Sequence, residues 1–102
     1  MKKTLLRFFH GILERKHEIV ILYFDRASEF LMMTSERMVI SEDSCTLEQV
    51  LDRLRLRGAD WAYELDRRNV LCAIDGYAAR RSDRIMAGCE ISISSRKSVF
   101  EP

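Results

Sequence analysis

The 102-residue chain has few of the residues that mark several special classes of protein. It contains one proline and four glycines, and no glycine follows Gly88. Collagen-like and low-complexity chains, in which these two residues dominate, are therefore excluded. The uncharged apolar runs are only a handful of residues long, whereas a transmembrane helix needs about 20. We expect no membrane span and, from a hydrophobic fraction of 47% and a charged fraction of 32%, a single globular domain.

Cysteine is also scarce. Cys45, Cys72 and Cys89 are odd in number and widely spaced, which predicts reduced thiols instead of a disulfide framework. No C-x-x-C pair occurs, and the two histidines lack cysteine or carboxylate partners at ligand spacing, so we expect no metal and no cofactor. An exposed turn at Cys89 would offer a thiol able to carry sulfur as a persulfide, but Glu90 beside it would raise the thiol pKa. We interpret Cys89 as an ordinary surface cysteine.

Residues 1–17 differ from the rest of the chain. They are rich in lysine and arginine, and their apolar residues share one face at helical spacing: Leu5, Phe9, Ile12 and Leu13. This pattern predicts an appended helical segment. Arg7 interrupts the apolar stretch, and charged residues stand where a signal peptide has small cleavage-site residues. We therefore expect a retained segment and a cytoplasmic protein.

Residues 18–95 have the composition of a sheet with one main helix. β-branched, aromatic and alternating residues predict strands at 18–24, 37–41, 70–74 and 90–94, with a polar connection after the first and a loop at 41–45. A tight turn is predicted at Asp75-Gly76, because both residues tolerate positive φ. A weaker strand and a turn follow it, ending at Gly88.

The main helix is predicted to begin after Thr46. Thr46 and Gln49 have the spacing of a capping box, and the apolar face that follows consists of Leu47, Val50, Leu51 and Leu54. Gly58 is predicted to end this helix in the left-handed conformation, which leaves Leu56 exposed. A short helix then carries Trp61 and Leu65. One helix packed across a mixed sheet is an α+β roll.

One long stretch of the chain also contains sequence motifs of a known protein family. Trp61 and Leu65 form a W-x-x-x-L element, the apolar strand at 70–74 ends in Asp75-Gly76, and Gly88 precedes a last alternating strand. In this order and spacing the residues from 19 to about 95 resemble the MoaD/ThiS family of ubiquitin-like sulfur carriers. The resemblance implies a ubiquitin-like β-grasp roll. It also implies a protein partner, either a MoaE-like large subunit or an E1-like activating enzyme.

The chain differs from this family at the C-terminal residues that take part in the family's reaction. The family ends in Gly-Gly, which an E1-like enzyme adenylates and converts to a thiocarboxylate; residues without Cβ can thread a narrow active site. In this chain the glycine positions fall near Val99 and Phe100, and Ser95 and Arg96 replace the expected proline pair. The resemblance thus implies a MoaD-like protein of molybdopterin (molybdenum cofactor) biosynthesis that acts through protein contacts and lacks the residues for sulfur carriage.

The tail, residues 96–102, is the predicted partner-binding segment. Val99 and Phe100 are its apolar anchors, and Arg96 and Lys97 are the charges at the rim. On the first strand both alternating sets of side chains are apolar, so whichever set faces away from the main helix forms a hydrophobic patch. Such a patch marks an interface. We expect a partner to contact this patch and the tail together.

Two other functions remain open. The first is a β-grasp interaction or regulatory module unconnected with sulfur. The second is a basic RNA-binding β-grasp domain, since arginines cluster in RLRLRG and ARRSDR. A net charge of only +1 argues against RNA, because nucleic-acid-binding domains carry a stronger imbalance. No nucleophile–base pair, glycine-rich phosphate loop or carboxylate dyad can be named, so we do not expect an enzyme.

Deletion of residues 1–17 is expected to leave the domain folded with a small loss of stability, because the β-grasp pattern begins at residue 18. Thermal unfolding followed by circular dichroism measures this. A truncated chain without a cooperative transition would show that the segment belongs to the core. The deletion should instead change solubility or partner binding, through loss of the apolar stripe.

Overall fold

The computed structural model describes residues 17–41 and 44–100 of the chain. The helix predicted within residues 1–17 lies outside this part and stays a prediction. The elements follow one another as β1 (Glu18–Tyr23), α1 (Asp25–Leu31), β2 (Ser35–Val39), β3 (Ser44–Thr46), α2 (Leu47–Arg55), α3 (Ala59–Glu64), β4 (Val70–Ile74), β5 (Tyr77–Ala78), β6 (Arg84–Met86) and β7 (Glu90–Ser95). Of the helices in this part, none is long and apolar enough to cross a bilayer.

The strands form a mixed sheet in the order β2-β1-β7-β4-β5, and β3 pairs with β6 in a separate ribbon. β1 and β7, the first and last strands of the described residues, are parallel neighbours, with Ile21 opposite Ile91. The other pairs in the sheet are antiparallel. A parallel pair needs a long crossover, and the residues between β1 and β7 supply it. The predicted ubiquitin-like β-grasp, α+β fold is confirmed.

The core lies where alternating strand residues meet the apolar face of α2. Ile19, Ile21 and Tyr23 of β1 and Ile91 and Ile93 of β7 are buried together with the predicted face of α2, which comprises Leu47, Val50, Leu51 and Leu54. Burying an aliphatic side chain of this size contributes roughly 1.5–3 kcal/mol. The set of β1 side chains that faces inward, which the sequence left open, is therefore Ile19, Ile21 and Tyr23.

The start of α2 is as predicted, but its end is not. The Gln49 N–H donates to Thr46 Oγ1 at 3.2 Å, and the Thr46 N–H donates to Gln49 Oε1 at 2.8 Å, so the capping box is complete. The C-cap is Leu56 in right-handed conformation, and Leu56 is 86% exposed. Gly58 is the N-cap of α3 with φ 158° and ψ 177°, and its carbonyl accepts from the Ala62 N–H. The prediction of a left-handed stop at Gly58 is wrong.

The residues between β1 and β2 form a helix where a polar connection was predicted. Ala27 and Leu31, one turn apart, are buried, but so is Arg26, and a buried arginine conceals the apolar face in the sequence. The helix ends at Met32 in left-handed conformation, with φ 53°. β2 begins at Ser35 and ends at Val39, two residues before each predicted bound. β3 occupies part of the predicted loop because it pairs with β6.

A polar network links β1 and β2 to the connection between α2 and α3. The Tyr23 hydroxyl donates to Glu36 Oε2 at 2.6 Å, and Arg57 donates to both Glu36 oxygens at 2.7 Å. The Arg57 guanidinium also lies 4.6 Å from the centre of the Trp61 ring. Burial opposes ionisation of Glu36, but the hydrogen bonds from Arg57 and Tyr23 lower its pKa. The Glu36 carboxylate is therefore kept ionised next to the helices.

Candidate partner-binding site

The fold brings the tail next to the start of α1. Because β1 and β7 run in parallel, they end at the same edge of the sheet, and the Phe24 N–H donates to the Ile93 carbonyl at 2.9 Å. The chain that follows Ser95 therefore emerges beside the first turn of α1 and close to α3.

A buried arginine binds the tail at this edge. Arg26 is 3% exposed, and its Nε and Nη2 donate to the two carboxylate oxygens of Glu64 in α3 at 2.9 and 3.2 Å. The third contact is from Arg26 Nη1 to the Ser98 carbonyl at 3.0 Å. We call Arg26, Glu64 and Ser98 the tail clasp. A charged pair this deeply buried is tolerated only when its remaining donors are satisfied, and the tail backbone supplies one of the acceptors.

Two further contacts hold the tail, one at the residue before β4 and one on α3. The Arg96 N–H donates to the Asn69 carbonyl at 2.7 Å. Lys97 Nζ lies 2.9 Å from the Tyr63 hydroxyl and 5.1 Å from the centre of its ring. The segment from residue 96 to residue 98 is thus packed on the helices, whereas the sequence placed the whole tail outside the body of the domain.

The four predicted site residues lie in three different surroundings. Phe100 is 95% exposed, and Val99 is 37% exposed, so both are available at the tip of the tail. Lys97 is half-buried against Tyr63. Arg96 is exposed at the border of a cleft beside α2. The structure therefore groups Val99 with Phe100 and separates them from Arg96; the binding roles of all four stay predictions.

The outer face of the sheet carries the second set of β1 side chains. Val20 and Leu22 are half-buried there, and Leu71 of β4 is exposed on the same face. Ser92 and Ser94 of β7 lie between the two strands in the pairing order. The patch is therefore apolar but interrupted by hydroxyl groups. A mixed face of this kind is typical of a surface that binds and releases a partner.

Sequence reasoning missed the tail clasp. Arg26 and Glu64 are 38 residues apart, and each stands among other charged residues in the sequence. Neither position carries a local signal, because an arginine that will be buried reads like any other surface arginine. The one weak indication is that Arg26 immediately precedes Ala27 and Leu31, which have helical core spacing.

The cysteines do not form a chemical centre. Cys89 directly follows a turn, as predicted, but it is half-buried and packs against the core, so its predicted exposure is wrong. Burial, assisted by the Asp75 carboxylate, raises the pKa of its thiol. Burial also raises the pKa of Cys72 to about 11. Both thiols stay protonated near neutral pH, and a thiol is a much weaker nucleophile than a thiolate. No group of side chains suited to a metal ion occurs in residues 17–41 and 44–100.

Several solved structures of small proteins share this fold. A protein of Pyrococcus furiosus described as a molybdopterin converting factor, subunit 1, superposes with a TM-score of 0.63 at 11% identity over 76% of this chain and 95% of its own. The HVO 2177 protein of Haloferax volcanii gives 0.67 at 18% identity, over 79% and 84%. SAMP1, a small archaeal modifier protein of the same organism, gives 0.60 at 21% identity, over 79% and 97%. No family model and no curated protein matches.

These likenesses place the chain in the class of ubiquitin-like β-grasp proteins. The predicted resemblance to MoaD/ThiS proteins is confirmed by the neighbours of its fold, which include a molybdopterin converting factor subunit and small archaeal modifiers. At identities of 11–21%, structural similarity shows a shared fold only. The function has to be argued from the residues of the site.

Replacing Arg26 is expected to loosen the tail and destabilise the domain. Arg26→Met leaves Glu64 as a buried charge without its partner, which costs about 3–5 kcal/mol of unfolding free energy. Arg26→Met combined with Glu64→Met should recover most of that loss, because it removes both charges. Urea unfolding measures the stability, and hydrogen exchange at the amides of residues 97–100 measures the tail.

The matched control is Arg68→Met, which removes an arginine from an exposed pair with Asp66 and should leave stability nearly unchanged. A tail that keeps its exchange rate in both Arg26 variants would show that the clasp does not hold it.

Proposed function

We propose that this protein is a MoaD-like β-grasp protein of molybdopterin biosynthesis that works by binding a protein partner, not by carrying sulfur or by catalysis. The observation that carries the proposal is the tail. It leaves the sheet where a β-grasp carrier tail would, but it holds Val99 and Phe100 at the glycine positions, and the buried Arg26 binds it at Ser98. The P. furiosus neighbour, described as a molybdopterin converting factor subunit, supports the pathway.

The clasp argues against a tail that threads an activating enzyme. Such a tail must extend away from the domain, and extension would withdraw the Ser98 carbonyl from Arg26 Nη1. The buried guanidinium would then lose one charge-assisted hydrogen bond, at a cost of about 1.5–3 kcal/mol. Val99 and Phe100 add Cβ atoms and side chains where a narrow site admits only glycine. Both features favour a tail that is recognised on the domain.

The exposed tip and the outer face supply the surface for recognition. Phe100 offers a large apolar side chain with almost no contacts to the domain, and aromatic anchors of this kind dominate protein interfaces. Val20 and Leu22 provide a second apolar surface, on the outer sheet face. By resemblance, the partner is a MoaE-like large subunit or an E1-like activating enzyme.

A regulatory β-grasp module unconnected with sulfur is the second candidate. It would use the same tip and outer face, and the clasped tail favours it equally. The two candidates differ only in the partner: binding to the MoaE-like subunit of the same host supports the first, and its absence supports the second.

The 102-residue chain is expected to form no thiocarboxylate. Mixed with an E1-like activating enzyme, ATP and a sulfur donor, it should keep its mass in intact mass spectrometry, because it lacks the glycines that the reaction requires. A gain of about 16 Da, from sulfur replacing oxygen at the terminal carboxylate, would contradict this. A chain with glycines at positions 99 and 100 and nothing beyond them is the informative comparison.

Phe100→Ala is expected to weaken binding of the MoaE-like or E1-like partner by about 1–3 kcal/mol, as loss of an aromatic anchor does. The melting temperature should hardly change, because the Phe100 side chain is exposed. Calorimetric titration measures the affinity. Leu56→Ala is the control, since it removes an equally exposed apolar side chain far from the tail. Undiminished affinity after deletion of residues 99–102, which spares the clasp, would show that the tip is not part of the interface.

A further inference from the structure

A second candidate site lies at the edge of the sheet away from β2. A cleft of about 610 Å³ opens between α2, the edge of β4 and the loop that follows β5. Its floor is apolar and includes Leu47, Leu51 and Val70, while its rim carries four arginines: Arg67, Arg80, Arg81 and Arg96. We call this the arginine cleft. Its volume is within the range of sites that take small ligands or one short peptide segment, about 300–1,000 Å³.

The positive charge of the cleft is only partly compensated. No acidic side chain lines it. Glu48, on α2, is shared among three arginines: it accepts from Arg55 Nη1 at 2.7 Å and lies 3.5 Å from Arg67 and 3.3 Å from Arg81. Burial opposes ionisation of Glu48, but the hydrogen bond from Arg55 and the nearby arginine charges lower its pKa. One carboxylate thus faces three guanidinium groups.

Arg80 and Arg96 add charge that nothing in the described residues neutralises. The Arg80 backbone N–H donates to Asp83 Oδ2 at 2.8 Å, and the Arg96 backbone N–H donates to the Asn69 carbonyl. These bonds fix the backbone of both residues, while their guanidinium groups have no ion pair or hydrogen bond within residues 17–41 and 44–100. Two anchored arginines with unused donors therefore converge on one apolar cleft.

The sheet edge inside the cleft is only partly covered. β4 spans Val70–Ile74, but β5 pairs only with Ala73 and Ile74, and the Ala79 N–H then donates to the Cys72 carbonyl. On the side away from β7, no strand of the described residues pairs with Val70 and Leu71, although the Val70 N–H donates to the Asp66 carbonyl at 3.0 Å. This short stretch leaves room for a partner segment beside β4, while the arginines and the apolar floor supply the contacts.

The lining selects the class of ligand. Arginine binds carboxylates and phosphates through paired N–H groups, so the ligand is anionic. Proteins that bind single-stranded nucleic acid stack the bases on aromatic rings, and no aromatic residue lines this cleft. Aliphatic side chains fit an apolar floor, and the Cys72 thiol within it is protonated at neutral pH. An extended peptide with alternating aliphatic and acidic residues satisfies both the apolar floor and the arginine rim.

We propose that the arginine cleft binds an extended acidic segment of a partner protein beside β4, through its arginine rim and its apolar floor. The site is separate from the tip of the tail, borders the outer face of the sheet at Leu71, and does not rest on the molybdopterin proposal. Arg96 belongs to this site, so its function is to bind carboxylates in the cleft, not to surround Phe100.

The test uses a fluorescent synthetic peptide that alternates leucine with glutamate over about ten residues. Fluorescence anisotropy should show saturable binding to the intact chain. Arg80→Gln and Arg96→Gln should each weaken it roughly tenfold, as expected for loss of a charge-assisted contact. Arg37→Gln is the matched control: Arg37 is an exposed arginine on the outer face of the sheet and should leave binding unchanged.

Three comparisons make the test decisive. The same peptide with glutamine in place of glutamate should not bind, and a single-stranded RNA and inorganic triphosphate should bind more weakly than the acidic peptide. In the unaltered chain, NMR amide shifts on peptide addition should concentrate at residues 70–72 and 79–82, which keeps the test independent of any variant's folding. Absence of peptide binding, equal losses with Arg37→Gln, tighter binding of RNA or triphosphate, or shifts elsewhere would each overturn the proposal.

Discussion

The parallel pairing of β1 with β7 is the constraint on which the rest of the structure depends. It puts the first and last described strands side by side in the middle of the sheet, with Ile21 opposite Ile91. The intervening chain must then cross over one face, and α2 covers the inward side chains as it does so. The same pairing makes both strands end at one edge. The tail consequently leaves the sheet beside α1, where the tail clasp can form.

The tail clasp fixes the tail in one position against α1 and α3. Arg26 is buried between α1 and α3, and burial of a guanidinium is costly unless all of its donors find acceptors. Glu64 provides two acceptors and the Ser98 carbonyl a third. A charge on one helix thereby joins a second helix to the chain beyond β7. This contact makes the segment up to Ser98 part of the domain and leaves Val99 and Phe100 as its projecting tip.

The arginines divide into structural and available groups, a distinction that the net charge of +1 conceals. Arg26, Arg55 and Arg57 each bind a glutamate that lies beneath or along the helices, and these pairs hold elements together. Arg80 and Arg96 border a cleft without acids. Near-neutrality of the whole chain is therefore compatible with a locally positive site. Two distinct surfaces result, an apolar tip on the tail and a cationic cleft beside β4.

The sequence by itself determined the parts that depend on local periodicity. The capping box at Thr46, the apolar face of α2, the turn at Asp75-Gly76 and the alternation of Ile91 and Ile93 all follow from residues within a few positions of one another. An α+β roll was therefore predictable from local patterns, and the resemblance to the MoaD/ThiS family implied that it is a β-grasp. Tertiary structure alone decided the features that join distant residues. Arg26 contacts Glu64 and Ser98 only after β1 and β7 pair. Arg80 and Arg96 come to line one cleft only after β4 and β5 fold beside β7. Burial makes Arg26 a structural residue that binds the tail, and no local sequence pattern indicates that this arginine will be buried.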